Sequence, residues 1–314
     1  MVQLASSASG IYPMLYAFFD GDGRLDGSAI GLQIEAGIAA GVDGIAILGL
    51  ASEAAKLSIS ERHRLLELSV QAVGGRVPTA VTLAGQTANE QISFGAAAKA
   101  EGAAWVIAQP PFGGSLNEPE LIAFFSRVID RVDLPVAIQN APAFINQSLS
   151  NVGLLELARR HPNFRIVKWE GPAVHVPRMI EETEGRLAVF NGRDGLELPD
   201  NMRAGCAGMI PGMEAIDLQV RMYQAMQRGT PEGEREAEQT YARILPLVVF
   251  LMQSIDVLLC YGKRIAARRL GLPEVRDRAP CLTPSEAGLA AMHRYSADLG
   301  ALEGRRDGSC TEKS

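Results

Sequence analysis

Short apolar runs, often β-branched, recur along the chain between longer stretches in which apolar residues return about every third or fourth position. The runs are IYPMLYAFF from Ile11, GIAILG from Gly44, PTAVTLA from Pro78, AAWVIAQ from Ala103, LPVAIQN from Leu134, FRIVKWE from Phe164, RLAVFNG from Arg186 and CAGMIPG from Cys206. None alternates cleanly between apolar and polar residues. A parallel sheet covered by helices produces that uniform polarity, because neither face of its strands meets water.

The intervening stretches carry helix signals. Ser58 followed by Glu61 reads as a capping box ahead of RHRLLELSVQAV, and Asn117 precedes EPELIAFFSRVIDRV, with Glu118 and Pro119 in its first turn. Gly41, Gly75 and Gly102 fall just past helical runs, where a left-handed cap is expected. Strand and helix alternating eight times predict an α/β fold, the closed (β/α)8 TIM barrel. An open doubly wound sheet is the alternative, but no GxGxxG follows the first strand run. From about Pro231 to Gly271 and from Thr283 to Gly300 the pattern is helical throughout, which predicts a C-terminal helical appendage. The expected division is a barrel over 1–230, helices over 231–302 and a polar, mobile tail over 303–314.

Composition narrows the function classes. With 314 residues, 47% hydrophobic and 21% charged, the chain has the length and core material for one such barrel. A net charge of -6 leaves no basic footprint for nucleic acid or an anionic membrane, so a small-molecule substrate is expected. Cys206, Cys260, Cys281 and Cys310 lack zinc-ligand or disulfide-framework spacing, and no metal or cofactor is expected. The first residues lack the charged and apolar regions of a secretory leader. The longest apolar stretch, near Ile244 to Met252, is short and holds Pro246, so a cytoplasmic protein is expected.

In a parallel barrel the chemistry gathers where strands end and loops begin. The sixth run ends Ile166-Val167-Lys168-Trp169-Glu170, placing an amine within an apolar strand and a carboxylate two residues later on the same face. A buried amine without a firm partner shifts toward its neutral form, which is the nucleophile that attacks a carbonyl. The plainer reading is a strand-end lysine that snorkels to solvent or pairs with Glu170.

The surroundings favour the chemical reading. With the LGLASE turn after the second run, QPPF after the fourth and the lysine on the sixth, the chain from Ile11 to Gly300 resembles the dihydrodipicolinate synthase and N-acetylneuraminate lyase family. That resemblance implies a Schiff base on Lys168, a small 2-keto acid substrate and a homotetramer built as a dimer of dimers. Departures from the family pattern are specific. Gln139-Asn140-Ala141-Pro142 stands where Tyr-Asn-x-Pro is common, and Gln139 cannot relay a proton as a phenol does. Gly49-Leu50-Ala51-Ser52-Glu53 keeps one hydroxyl where two are usual, and Phe112 replaces a usual tyrosine. These features resemble the L-2-keto-3-deoxyarabonate dehydratase branch, which has Gln-Asp-Ala-Pro on strand five and Lys-x-Glu on strand six.

The leading expectation is therefore dehydration of a 2-keto-3-deoxy sugar acid through an imine on Lys168, with Glu170 moving protons and Gln139 orienting water or a substrate hydroxyl. Ser52 and the N–H groups of Ala51 and Ser52 would hold the substrate carboxylate. By resemblance, Asn191, Gly192 and Asp194 in NGRDG contact sugar hydroxyls, although a turn cap explains them equally well, and Gly208 lies beside the imine unless it serves only packing. Tyr261 and Lys263 are expected in a helix packed on the barrel or at a subunit contact, and the four histidines away from the strand ends. A retro-aldol lyase or pyruvate-condensing synthase is the enzymatic alternative. A non-catalytic keto-acid-binding protein is the alternative of another class.

Overall fold

The computed structural model describes residues 8–145 and 147–302. Its eight strands are β1 (Gly10–Ile11), β2 (Ile45–Ile47), β3 (Thr79–Leu83), β4 (Trp105–Ala108), β5 (Val136–Asn140), β6 (Phe164–Trp169), β7 (Ala188–Asn191) and β8 (Gly208–Met209). Seven lie wholly within the runs expected to be strands, and β1 starts one residue before the first run, at Gly10. Neighbours pair in parallel in the order β1-β8-β7-β6-β5-β4-β3-β2. Just past β1, Met14 bridges Ala46 of β2, also in parallel, and joins the two ends of the sheet. The fold is the expected TIM barrel.

Helices α1 (Gly27–Ala40), α2 (Ile59–Val73), α3 (Ala88–Glu101), α4 (Glu118–Arg131), α5 (Asn151–Arg160), α6 (Val176–Glu182), α7 (Leu198–Arg203) and α8 (Ile216–Gln227) follow the strands in turn. The starts of α1 to α5 are set by short polar side chains. Asp26, Thr87 and Ser150 cap α1, α3 and α5, while Ser58 and Asn117 form full capping boxes with Glu61 and Glu120. Each such cap stabilises by about 1 kcal/mol. Gly41 and Gly102 take the expected left-handed conformation after α1 and α3. The cap of α2 is Gly74 rather than Gly75, because the helix stops one residue sooner and both glycines then have positive φ.

Inside the barrel Tyr12, Trp105 and Phe190 meet edge to face or tilted, with ring centroids 5.5 to 5.7 Å apart. All three are buried and fill the interior with apolar area. The plug explains Gly208. A Cβ there would lie 2.2 Å from Gly10 O and 2.5 Å from the Phe190 ring, so the residue serves close packing.

The C-terminal region departs from continuous helix. After α9 (Pro231–Leu251) the chain breaks before the helical stretch Ile255–Arg269, which turns by 109° and contains a π-helical segment at Leu258–Gly262. Ser254 caps the new start, and the bend turns Met252, Ile255 and Leu258 toward the barrel mouth. In the second predicted stretch only Glu286–Tyr295 is helical. No single helix among the described residues is long and apolar enough to cross a membrane, although α9 with Ile255–Arg269 passes as a bent pair by length and composition. The expected mobile tail begins at 303, outside the described residues.

Candidate active site

β6 delivers Lys168 to the barrel interior, and Glu170 follows the strand end on the same side. Both residues are only 5% exposed. The Lys168 Nζ donates to Glu170 Oε1. The amine thus has the firm partner that the sequence left open, and the pair offsets part of the cost of burying each charge. Gln139 of β5 stands opposite Lys168 in register, and its Nε2 donates to the same Glu170 Oε1 at 2.9 Å. Its own Oε1 accepts from Gln109 Nε2 just past β4. Three successive strand ends are therefore joined by one polar chain, Gln109–Gln139–Glu170–Lys168. Gln109, fixed further by Gln91 Nε2 on its carbonyl at 2.7 Å, was not among the expected site residues. Its position at a strand end, in the QPPF stretch, was the available signal.

Lys168 and Glu170 open into a cavity of about 40 Å³, walled by Met14, Leu50 and Ala51 on one side and by Arg193, Asp194 and the Ile210–Gly212 segment on another. Met252, Ile255 and Leu258 complete it from the C-terminal helices. Gly192, just after β7, is a spacer for Glu170, since a Cβ there would stand 2.8 Å from the Glu170 carboxyl carbon. Arg193 and Asp194 both adopt left-handed backbone, with φ of 52° each. Two such non-glycine residues in sequence cost about 1–3 kcal/mol apiece, a strain that concentrates at functional sites. Arg193 also pairs with Glu197 at 2.7 Å.

The remaining expected residues divide. Ala51 lines the cavity, and the N–H groups of Ala51 and Ser52 make no hydrogen bond among the described residues. The Ser52 hydroxyl does not reach the cavity. It donates to Leu15 O at 2.6 Å and accepts from Leu48 N at 3.0 Å, which fixes the turn and corrects its expected contact with substrate. Asn191 is likewise structural, its amide donating to Gly171 O at 3.0 Å and Asn201 Oδ1 at 2.6 Å. Phe112 is half-buried in the loop after β4 and is not among the cavity residues, and Gly208 belongs to the aromatic packing described above. Lys263 is fully buried against Glu53 at 2.7 Å, so its helix packs on the barrel. No histidine lines the cavity.

Fold and site together define a parallel barrel with a buried lysine–carboxylate couple at the carboxyl ends of its strands. The chain belongs to the dihydrodipicolinate synthetase family, whose model matches residues 7–296. It is 30% identical over 283 residues to a 4-hydroxy-tetrahydrodipicolinate synthase of Methanospirillum hungatei, covering 88% of this chain and 94% of that one. It is 32% identical over 178 residues to the putative 2-dehydro-3-deoxy-D-gluconate aldolase YagE of Escherichia coli K12, covering 56% and 59%. The crystal structure of YagE in complex with pyruvate superposes with a TM-score of 0.84 at 26% identity, covering 93% of this chain and 98% of that one. The family members are lyases acting on small keto acids.

Proposed function

We propose that the protein dehydrates a 2-keto-3-deoxy sugar acid through an imine on Lys168. The observation that carries this reading is the side chain at the end of β5. Gln139 is hydrogen-bonded to the carboxylate that holds Lys168, and no tyrosine is among the cavity residues. A synthase or aldolase route that relays a proton through a phenol lacks its relay here, whereas elimination of a hydroxyl needs an imine, a base and an oriented polar group.

Glu170 takes a proton from the Lys168 ammonium, the freed amine attacks the 2-keto carbon, and Glu170 returns that proton to the departing oxygen, so that water leaves, the protonated imine forms and Glu170 is a carboxylate again. Glu170 removes a proton from carbon 3, giving the enamine, whose electrons then expel the carbon-4 hydroxyl. Hydrolysis of the imine returns Lys168. Gln139 holds Glu170 in position and offers its amide to a water or substrate hydroxyl, while the Ala51 and Ser52 N–H groups receive the substrate carboxylate. Asp194 faces the hydroxylated end. A sugar acid exceeds the present cavity, and the unbranched side chains of Met14 and Met252 are the ones that give way to it. The route needs neither metal nor nucleotide. The family resemblance supports a homotetramer, the cysteine spacing and apolar pattern a cytoplasmic one, and the helical pattern from Pro231 a division into barrel and C-terminal helices.

A screen of 2-keto-3-deoxy acids of four to six carbons, followed by NMR, tests the reading. Loss of substrate without pyruvate release is expected. Stoichiometric pyruvate release would establish a retro-aldol lyase, the activity named for YagE. Condensation of pyruvate with an aldehyde would establish a synthase, and trapping of pyruvate without turnover of any acid would establish a binder.

A further inference from the structure

Past β7 the cavity meets a carboxyl group that forms no ion pair among the described residues. Asp194, 5% exposed, accepts one hydrogen bond from Gly212 N–H at 2.9 Å through Oδ1, and its Oδ2 has no donor. Beside it lies Glu214, 1% exposed, the two carboxyls meeting at Gly212, whose N–H Asp194 accepts and whose Cβ position Glu214 fills. Glu214 Oε2 accepts from the Tyr16 hydroxyl at 2.8 Å, and Glu214 Oε1 has no donor. Each carboxyl therefore has one satisfied oxygen and one bare oxygen. Two ionised carboxylates side by side repel each other, and neither supplies a hydrogen to the other's bare oxygen. One proton between them satisfies both bare oxygens.

The chain makes room for this pair. A Cβ on Gly212 would lie 2.3 Å from Glu214 Oε2, and a Cβ on Gly262 would lie 2.6 Å from the Tyr16 hydroxyl. Gly262 closes the π-helical segment, whose widened turn is a common mark of a functional site. The other charged groups nearby are engaged elsewhere. Arg193 pairs with Glu197, Lys263 with Glu53, and Lys168 with Glu170. Arg269 gives its guanidinium to the Glu214 carbonyl and to Asp217. Gln219 donates to the Asp194 carbonyl at 2.9 Å.

We propose that Asp194 and Glu214 hold one shared proton at neutral pH, and that this pair is the acid which protonates the departing hydroxyl, with Asp194 touching the substrate and Glu214 positioning the proton. The role rests on the dehydratase reading; the shared proton does not. Burial, and then the charge of Glu214, push the Asp194 carboxyl well above the usual carboxylate range, which keeps the acid charged with its proton. Burial and the same glutamate hold the Tyr16 phenol protonated as a donor. In the reaction, the enamine electrons break the bond from carbon 4 to oxygen, the shared proton joins that oxygen, and water leaves. The pair is then briefly doubly negative and regains one proton, matching the one Glu170 took from carbon 3.

The test compares two activities and one spectrum in wild type and Glu214→Gln. The substitution keeps the Tyr16 contact, donates an amide hydrogen to Asp194 and leaves the total charge of the pair unchanged while removing the proton. Exchange of the pyruvate methyl protons in deuterated water needs the imine and a base but no departing hydroxyl, and should stay within about twofold of wild type. Dehydration of a 2-keto-3-deoxypentonate should fall by roughly 100-fold, the scale of general acid catalysis. Infrared spectra at pH 7 should show a carboxylic-acid carbonyl band in wild type that Glu214→Gln lacks. Absence of that band in wild type overturns the shared proton. An equal fall in exchange and dehydration, or no fall in dehydration, overturns the acid role. Should wild type exchange pyruvate yet dehydrate none of the acids, the dehydratase reading and the acid step fail together, and the band alone decides the shared proton.

Discussion

The cavity has two polar walls that solve the same problem differently. On the wall from β5 and β6, the Glu170 carboxylate is neutralised by an ammonium and steadied by an amide. On the wall past β7 and β8, the Asp194 and Glu214 carboxyls lie side by side, with a peptide N–H donating to the first and a phenol to the second. A buried anion needs either a counter-ion or a proton. The first wall uses the ion and so presents a base beside an amine; the second retains a proton and so presents an acid. Elimination of water needs one of each.

The comparison breaks most sharply at Lys168. Replacing it with alanine should abolish turnover and the borohydride-trapped pyruvate adduct, which peptide mass mapping places in wild type. It also leaves Glu170 buried without its cation, so the protein should lose about 3–5 kcal/mol of stability by denaturant titration while keeping its fold. An adduct that persists in Lys168→Ala, or maps to another lysine, would remove the imine assignment.

A smaller effect is expected at Glu170. The Glu170→Gln variant keeps a polar side chain against Gln139 but cannot take a proton, so dehydration should fall by roughly 100-fold while pyruvate is still trapped on Lys168. Here, unlike in Glu214→Gln, methyl exchange of pyruvate should fall as well. A variant that exchanges at the wild-type rate would place the base elsewhere.

The gentlest test is stability against pH. The folded state raises the Asp194 pKa, so it binds that proton more tightly than the unfolded chain does. The stabilisation from the proton is complete below the ordinary carboxylate range and is lost as pH rises toward the folded value. Wild type should therefore lose stability relative to Asp194→Asn as pH is raised from about 4, a reference for free carboxylates, toward neutrality. Thermal midpoints of the two proteins that run parallel over this interval would show that the second wall holds no such proton.

Much of this was legible in the chain alone. The eight uniformly apolar runs determined the strands, since burial on both faces removes polar alternation, and short side chains such as Asp26, Ser58 and Asn117 determined the helix starts. Lys168 and Glu170 stood out as charges two residues apart at the end of an apolar strand, and the motifs around them, more than the spacing itself, favoured the chemical reading. Gln139 was visible through the family resemblance, which sets it where a tyrosine is common. Ser52 and Asn191 could not be judged, because both are polar residues at strand ends and the sequence does not show that their hydrogen bonds are already filled by Leu15, Gly171 and Asn201. The acid pair was the least legible part. Tyr16, Asp194 and Glu214 lie far apart along the chain, and neither their meeting nor the lack of a cation there is a local property. Local spacing determined which residues end strands, because strand periodicity is set by the backbone. Only the closed barrel and the bent helix over its mouth decided which of those ends share a cavity, and whether each buried carboxylate found an ion or kept a proton.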